Sequence, residues 1–436
     1  MFVRSLAIKN LRGFDKAELD FVYPGREADG PFVGSSSWPL RLPNVNLILG
    51  INSAGKSTLL DAIALAILSP LIATSGYRPY LLIRRPPPGA KRGVEKAELS
   101  AELVLHAEDG PTAGAAVTAK ADILKRGDVE MVRGADNESQ VWEKLFDDES
   151  PAYLLLGYGA GRRVEVTTAV DLSSRRRERQ LRYERVASLF EDSFGLMPLN
   201  AWFPRFEKDN PGRHKQAFNL LNKLMPPGVR MLANLENDEL LFTAGGSPVP
   251  FNALSDGFKS YIGWIGDLLY QITRSVPSGR KLAETKGVVL IDEIDLHIHP
   301  EWQRELIPTL ARTLPNVQFI LTTHSPLVVG TLERANILTV ERSQRGVPRV
   351  LRPTEETYGL TADQLLRSEM FGLDSTRDPE FKTELDRLSR KAATGDLDAS
   401  IAFMNGVAGG AAGVAEATPP DWVVQASALT SSDPVQ

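Results

Sequence analysis

The chain has 436 residues, 42% hydrophobic and 24% charged, with no Cys and a formal net charge of −5. That length is enough for a large core and two or three lobes, and the composition is that of an ordinary globular protein. The acidity excludes a uniformly basic nucleic-acid binder, and the lack of Cys excludes disulfides and thiolate metal sites and suits a reducing, cytoplasmic setting.

The opening stretch "MFVRSLAIKNLRGF" alternates apolar and polar residues and predicts a strand over 2–9, paired hairpin-fashion with 16–21. It lacks the apolar core of a signal peptide. Residues 45–49 form a short apolar strand, and 56–68 a helix ending near Pro70. The run "LLDAIALAILSPLIA" contains Asp61 and Pro70 and reads as a buried helix, so no membrane partner is expected. A basic loop, "RRPPPGAKRG" (84–93), precedes three alternating segments at 97–105, 116–124 and 129–133, which suggest an antiparallel sheet. A strand follows at 152–156, then a mostly helical, Arg-rich stretch over 173–225. From about 250 the pattern is α/β: helix 255–274, strand 287–292, helix 301–313, strand 317–322, and weaker strands at 336–341 and 348–352. Terminal helices are predicted over 378–404, and the Gly/Ala/Pro/Ser-rich tail from 406 reads as disordered.

"GINSAGKS" (50–57) fits G-x-x-x-x-G-K-[ST] between a buried strand and a helix. Gly50 and Gly55 let the backbone curl so that its N–H groups, through Asn52, Ser53 and Ala54, converge on phosphate oxygens. The helix N-terminus adds partial positive charge. Lys56 reaches the β- and γ-phosphates, and the Ser57 hydroxyl can hold Mg²⁺. "GVVLIDE" is a buried strand running into Asp292 and Glu293. Beside a phosphate loop, Asp292 is the expected Mg²⁺ carboxylate, and Glu293 can polarise the attacking water. His297 and His299 also have the spacing of zinc ligands, but the phosphate loop already accounts for the carboxylates. "FILTTHSP" ends at His324, which can contact a γ-phosphate. "LSDGFKS" begins a helix with Ser255 at its N-cap, a second phosphate-binding device that makes sense if it meets a nucleotide on a partner subunit.

The order of these motifs resembles the ABC-type ATPase head. The N-terminal strand is similar to the SMC/RecF/OLD branch. "DEIDLHIHPEWQ" with "FILTTHSPLV", and the segments "GYGAGRR", "RVASLF" and "LLRSEMFGL", resemble ATPases of bacterial anti-phage systems of the Septu and retron type. The resemblance implies an α/β P-loop NTPase head, with a mixed central sheet, flanking helices and an antiparallel β subdomain, plus an inserted helical lobe. It implies a partition into 1–72 (Walker A half), 73–150 (β-rich insert), 151–250 (helical insert), 251–355 (second half of the head), 356–405 (C-terminal helices) and 406–436 (tail). It implies Walker A over Gly50 to Thr58, a signature including Ser255, Gly257 and Lys259, Walker B at Asp292 with Glu293 as base, Asp295 opening the D-loop, and His324 as switch residue. ATP and Mg²⁺ are the implied cofactors, and a head-to-tail homodimer, or a higher even oligomer, with ATP at the interface is the implied assembly. Asp295, His297 and His299 then become candidate contacts across that dimer. Two departures stand out. Asp256 and Phe258 replace the Gly and Gln of transporter signatures, and no Gln follows the 152–156 strand, where "GYGAGRR" stands instead. Glu341 and "DLD" (396–398) invite comparison with a nuclease, but no strand precedes the pair.

Arg162, Arg163, Arg175, Arg176, Arg177, Arg179 and Arg182 could form a basic surface for nucleic acid or a partner protein; acids interleaved among them equally suit a solvated, ion-paired helix face. The expected function is an ATP-hydrolysing sensor that controls a separate effector. A DNA-repair or chromosome-maintenance ATPase is the alternative, and a nucleotide-gated scaffold with negligible turnover a second one.

Overall fold

The alternating N-terminal residues form β1 (Phe2–Leu11) and β2 (Phe14–Asp20), paired antiparallel with Lys9 opposite Lys16. The apolar run "VNLILG" forms β3 (Val45–Gly50), and α1 (Lys56–Thr74) follows the Gly-containing turn. The computed structural model describes residues 1–26, 39–85, 93–110, 113–134, 140–147, 150–164, 181–236, 239–244, 246–277, 279–343 and 346–415. The chain divides into two units, Met1–Leu365 and Leu366–Gln436.

Within the first unit, β4 (Lys96–Val104), β5 (Ala116–Arg126) and β6 (Val129–Gly134) join the first two strands in one antiparallel sheet, order β2-β1-β4-β5-β6. Strict alternation on β4 buries Ala97, Leu99, Ala101 and Leu103 on one face, as a period of two requires. A second, six-stranded sheet contains β3, β7 (Leu155–Tyr158), β13 (Gly287–Ile291), β14 (Val317–Thr323), β15 (Ile337–Arg342) and β16 (Pro348–Leu351). Its order is β16-β15-β3-β14-β13-β7, with β16 antiparallel and the rest parallel. The expected mixed sheet with an antiparallel β subdomain is therefore what the chain forms.

Helix α1 packs between the two sheets, touching β4, β5 and β6 on one side and β3 and β14 on the other. That explains why it is apolar around its whole circumference. It is the one described helix long and apolar enough to cross a membrane, and 78% of its apolar window is buried in the core. Gln318 staples the layers: its amide accepts from Val3 N (2.7 Å) and donates to Val3 O (2.8 Å) and Val22 O (2.9 Å).

Short strands β8 (Arg163–Val164) and β9 (Gly195–Leu196) pair in parallel, and α2 (Leu199–Asp209) and α3 (Pro211–Leu224) follow. Next come β10 (Val229–Glu236), β11 (Glu239–Ala244) and β12 (Ser247–Pro250), a small antiparallel sheet. Helices α4 (Asp256–Ser275) and α5 (Pro300–Thr313) complete the head. In the second unit, α6 (Pro379–Ala393) packs on α7 (Leu397–Ala415).

Four expectations are corrected. Helix α1 continues through Pro70 to Thr74, because Leu71 and Ile72 are buried in the core. The 152–156 strand lies at 155–158, where Leu155 to Tyr158 pair with Val288 to Ile291. Residues 229–236, 239–244 and 247–250, expected within a helical insert, form the three-stranded sheet. Residues 406–415, expected to be disordered, extend α7, and Arg377 donates to the carbonyls of Gly406 and Val407.

Candidate nucleotide-binding site

The turn between β3 and α1 is built for close backbone approach. Gly55 has φ +109°, and a Cβ there would lie 2.6 Å from the Phe14 ring, so both backbone and packing demand glycine. Lys56 folds back over the loop: Nζ donates to Gly50 O (2.9 Å) and lies 2.7 Å from His324 Nε2. As the ammonium can only donate, that imidazole nitrogen accepts, which sets the tautomer. Burial and the neighbouring Lys56 hold His324 below the usual imidazole range, and burial lowers Lys56 despite the nearby carboxylates.

One cleft is lined by Asn52, Ser53, Ala54, Gly55, Lys56, Ser57 and Thr58 together with Glu293 and His324. The structure thus brings together most of the residues singled out from three separate sequence segments. It adds Arg12, Gly13, Arg342, Gly346 and Pro348 to the lining, which sequence reasoning missed. Arg12 donates to Thr58 Oγ1 (3.2 Å) and pairs with Asp61 (2.9 Å). Burial raises the Asp61 carboxyl to about 7, with Arg12 opposing the rise. Arg342 donates to Ser53 O (2.9 Å).

Asp292 and Glu293 stand where β13 ends. The Thr322 hydroxyl, on the neighbouring β14, donates to Asp292 Oδ1 (2.5 Å) and accepts from Glu293 N (2.7 Å). Thr323 donates to Asp295 and accepts from Ser325 N (3.0 Å). The two threonines close a strand whose middle, Phe319 to Leu321, is apolar, directly before His324, a signal that could have marked them. Glu293 has φ +47°, a left-handed backbone that is rare outside glycine and that clusters at functional sites.

Among the described residues, no three His, Cys, Asp or Glu side chains form a metal-binding group. Mg²⁺ needs no such cage, because it keeps waters and takes one or two protein oxygens plus phosphates. Ser57 lines the cleft, and Asp292 at the end of β13 lies close enough to interact with Lys56, so both offer oxygens of the kind such an ion takes. His299 instead caps α5: its Nδ1 accepts from Glu301 N (3.3 Å). His297 is exposed at φ +63°.

Ser255 is the exposed N-cap of α4, and its side chain makes no capping bond. A Cβ on Gly257 would lie 2.9 Å from His297 O, so the helix start and the loop after Asp295 are packed together. Lys259 pairs with Asp256 (3.0 Å) and Phe258 packs on Trp302 with ring centroids 4.5 Å apart. Neither Ser255 nor Gly257 is among the described residues lining the Walker A cleft.

The predicted Arg surface is corrected at two positions. Arg182 is 2% exposed and donates to the carbonyls of Ala152, Lys144, Asp147 and Ser150. Arg162 donates to Asp292 O (2.7 Å) and Glu293 O (3.0 Å), and burial lowers it to about 10. Both serve interior carbonyls, which a guanidinium's several donors suit well. Arg163 is exposed. Arg175, Arg176, Arg177 and Arg179, most of the 84–93 loop and the tail from 416 lie outside the described residues.

Fold and cleft together define a P-loop nucleotide-binding head with Walker A and Walker B elements. Residues 5–79 match the family model "AAA domain", and residues 158–330 match "AAA domain, putative AbiEii toxin, Type IV TA system". The chain is 22% identical to Septu protein PtuA of Bacillus mycoides (strain KBAB4) over 389 residues, 88% of this chain and 47% of that one. It is 38% identical over 121 residues to the Retron Vc95 probable ATPase of Vibrio cholerae serotype O1 biovar El Tor, covering 28% and 23% of the two chains. Among solved structures it is similar to an SMC head bound to the C-winged helix domain of ScpA, with a TM-score of 0.48 and 17% identity, over 81% of this chain and 98% of that one. Two AAA-domain models thus match separate parts of the chain, and its similarity to the Septu and retron proteins is distant. It spans about half the length, or less, of these curated relatives.

Proposed function

We propose that this chain binds ATP with Mg²⁺, dimerises through the bound nucleotide, hydrolyses it, and thereby controls a separate effector of a bacterial anti-phage system. The observation that carries the reading is the single cleft in which the Walker A loop, Glu293 and His324 converge. Lys56 and the loop amides would neutralise and orient the phosphates. Glu293 would accept a hydrogen bond from water aligned with the γ-phosphate, and His324 would contact that phosphate. Mg²⁺, when bound, would spread the charge that develops on the phosphate oxygens, and Ser57 and Asp292 would hold it.

The dimer is supported by the signature's position. Ser255 has an uncommitted hydroxyl at a helix N-terminus, outside the cleft of its own chain. It would complete a partner's site. The defence role is supported by the Septu and retron homologues. Direct action on DNA has less support, since two of the seven candidate arginines are committed to backbone carbonyls.

The test is phosphate release from ATP by the purified chain, alone and with the products of adjacent reading frames. Turnover that requires Mg²⁺ and is lost with ATP binding in Lys56→Ala supports the reading. ATP binding unaffected by Lys56→Ala overturns the site assignment. ATP bound without release under every condition leaves a nucleotide-gated scaffold.

A further inference from the structure

The segment "GYGAGRR" stands where a Gln was expected, and its first arginine has a specific occupation. Arg162 Nη1 donates to Asp292 O (2.7 Å) and Gly159 O (3.2 Å), while Nη2 donates to Glu293 O (3.0 Å). Strand β13 ends at Ile291, so these two successive carbonyls lie just beyond the regular strand. The guanidinium satisfies them where the strand stops, on both sides of the left-handed Glu293 backbone. It also places a fixed positive charge near Asp292, Glu293 and Asp295.

The clamp is itself anchored. Asp292 N donates to Tyr158 O (2.8 Å), in the same segment as Arg162. Tyr158 Oη donates to Asp267 Oδ2 (2.9 Å) on α4, and Asp267 Oδ1 accepts from Met197 N (2.9 Å). Residues 163 and 164 pair with Gly195 and Leu196. One bonded path therefore runs from the helix that Ser255 precedes, through Tyr158, to the backbone that aims Glu293.

We propose that Arg162 is a positioning residue: its planar fork holds the Asp292 and Glu293 carbonyls together, fixes the backbone turn that presents Glu293 to the cleft, and ties that turn to the signature helix. The role rests on the ATPase reading given above. A lysine cannot substitute, because one ammonium nitrogen lacks the fixed, spaced donors that reach two successive carbonyls.

The experiment compares wild type, Arg162→Lys and Arg162→Gln as full chains. Hydrogen exchange is measured first without nucleotide. Peptides covering 292–298 should exchange faster in both variants, because the amides of Ile294, Leu296 and Ile298 bond within this turn or to Thr322 O. Peptides from α1 should be unchanged, which separates loss of the clamp from general destabilisation. In turnover, kcat should fall about tenfold or more, with the Kd for a fluorescent ATP analogue nearly unchanged. Unchanged exchange in 292–298 overturns the clamp. So does wild-type kcat in Arg162→Lys, or a kcat loss matched by an equal loss of ATP affinity. If the wild type itself releases no phosphate with any partner, the hydrolysis reading falls, while the exchange result still decides the clamp.

Discussion

Replacing Thr322 by Val removes one hydroxyl from a fully buried position and keeps the side chain's shape. That hydroxyl makes two bonds, one to the Asp292 carboxylate (2.5 Å) and one from the Glu293 amide (2.7 Å). Each of the two buried groups left without its partner costs about 1–3 kcal/mol, so the variant should lose about 2–6 kcal/mol of stability. Loss of a supporting bond around a metal or catalytic group costs about 10–100-fold in activity, or roughly 1.4–2.7 kcal/mol of barrier. Thr322→Ser keeps the hydroxyl and serves as the control. Urea unfolding reads the first effect, and phosphate release at saturating ATP and varied Mg²⁺ reads the second. If Thr322→Val turned over within about twofold of wild type while Thr322→Ser did the same, the hydroxyl would not position this site.

Arg182→Met strips the donors from four carbonyls and should destabilise by about 3 kcal/mol or more, whereas a surface arginine would change stability by about 0.5 kcal/mol or less; an unchanged urea midpoint would refute the interior role. Burial pushes the Asp61 carboxyl from an ordinary 3.8 up to about 7 in the fold, so the folded chain binds more protons between those limits, and the Asp61 contribution to stability falls as pH rises through about 7. Asp61→Asn should remove that slope, and parallel stability curves for the two proteins from pH 4 to 8 would contradict it. His299→Ala removes a helix cap and should cost about 0.5–1 kcal/mol in urea unfolding. If His297→Ala and His299→Ala both left ATP-induced association intact, neither imidazole would belong to the dimer surface.

The chemistry was more legible in the sequence than the boundaries were. The phosphate loop and the strand ending in Asp292 and Glu293 carry strong local constraints, since a curled loop needs Gly and a buried parallel strand needs a short apolar run. Their convergence in one cleft follows from β3 and β13 both flanking β14. Pro70 misleads because the rule against internal proline is local, while the burial of Leu71 and Ile72 is a property of both sheets. The strand at 155–158 depends on pairing with β13, which lies more than a hundred residues away. The β10–β12 sheet had a usable signal, the turn residues Asn237–Asp238 between two apolar runs. Arg162 and Arg182 read as surface residues because charge patterning counts residues and cannot count carbonyl acceptors. Nothing local marks Arg12 as a wall of the cleft; the β1–β2 turn reaches it only once both sheets enclose α1.

The central claim is that Glu293 drives hydrolysis in a nucleotide-bridged dimer. Glu293→Gln keeps the side chain's size and removes the base. With ATP and Mg²⁺, its mass by light scattering should double relative to the nucleotide-free protein, with ATP retained and phosphate release abolished. A Glu293→Gln protein that stayed at its nucleotide-free mass with ATP bound, or that released phosphate at the wild-type rate, would contradict the account.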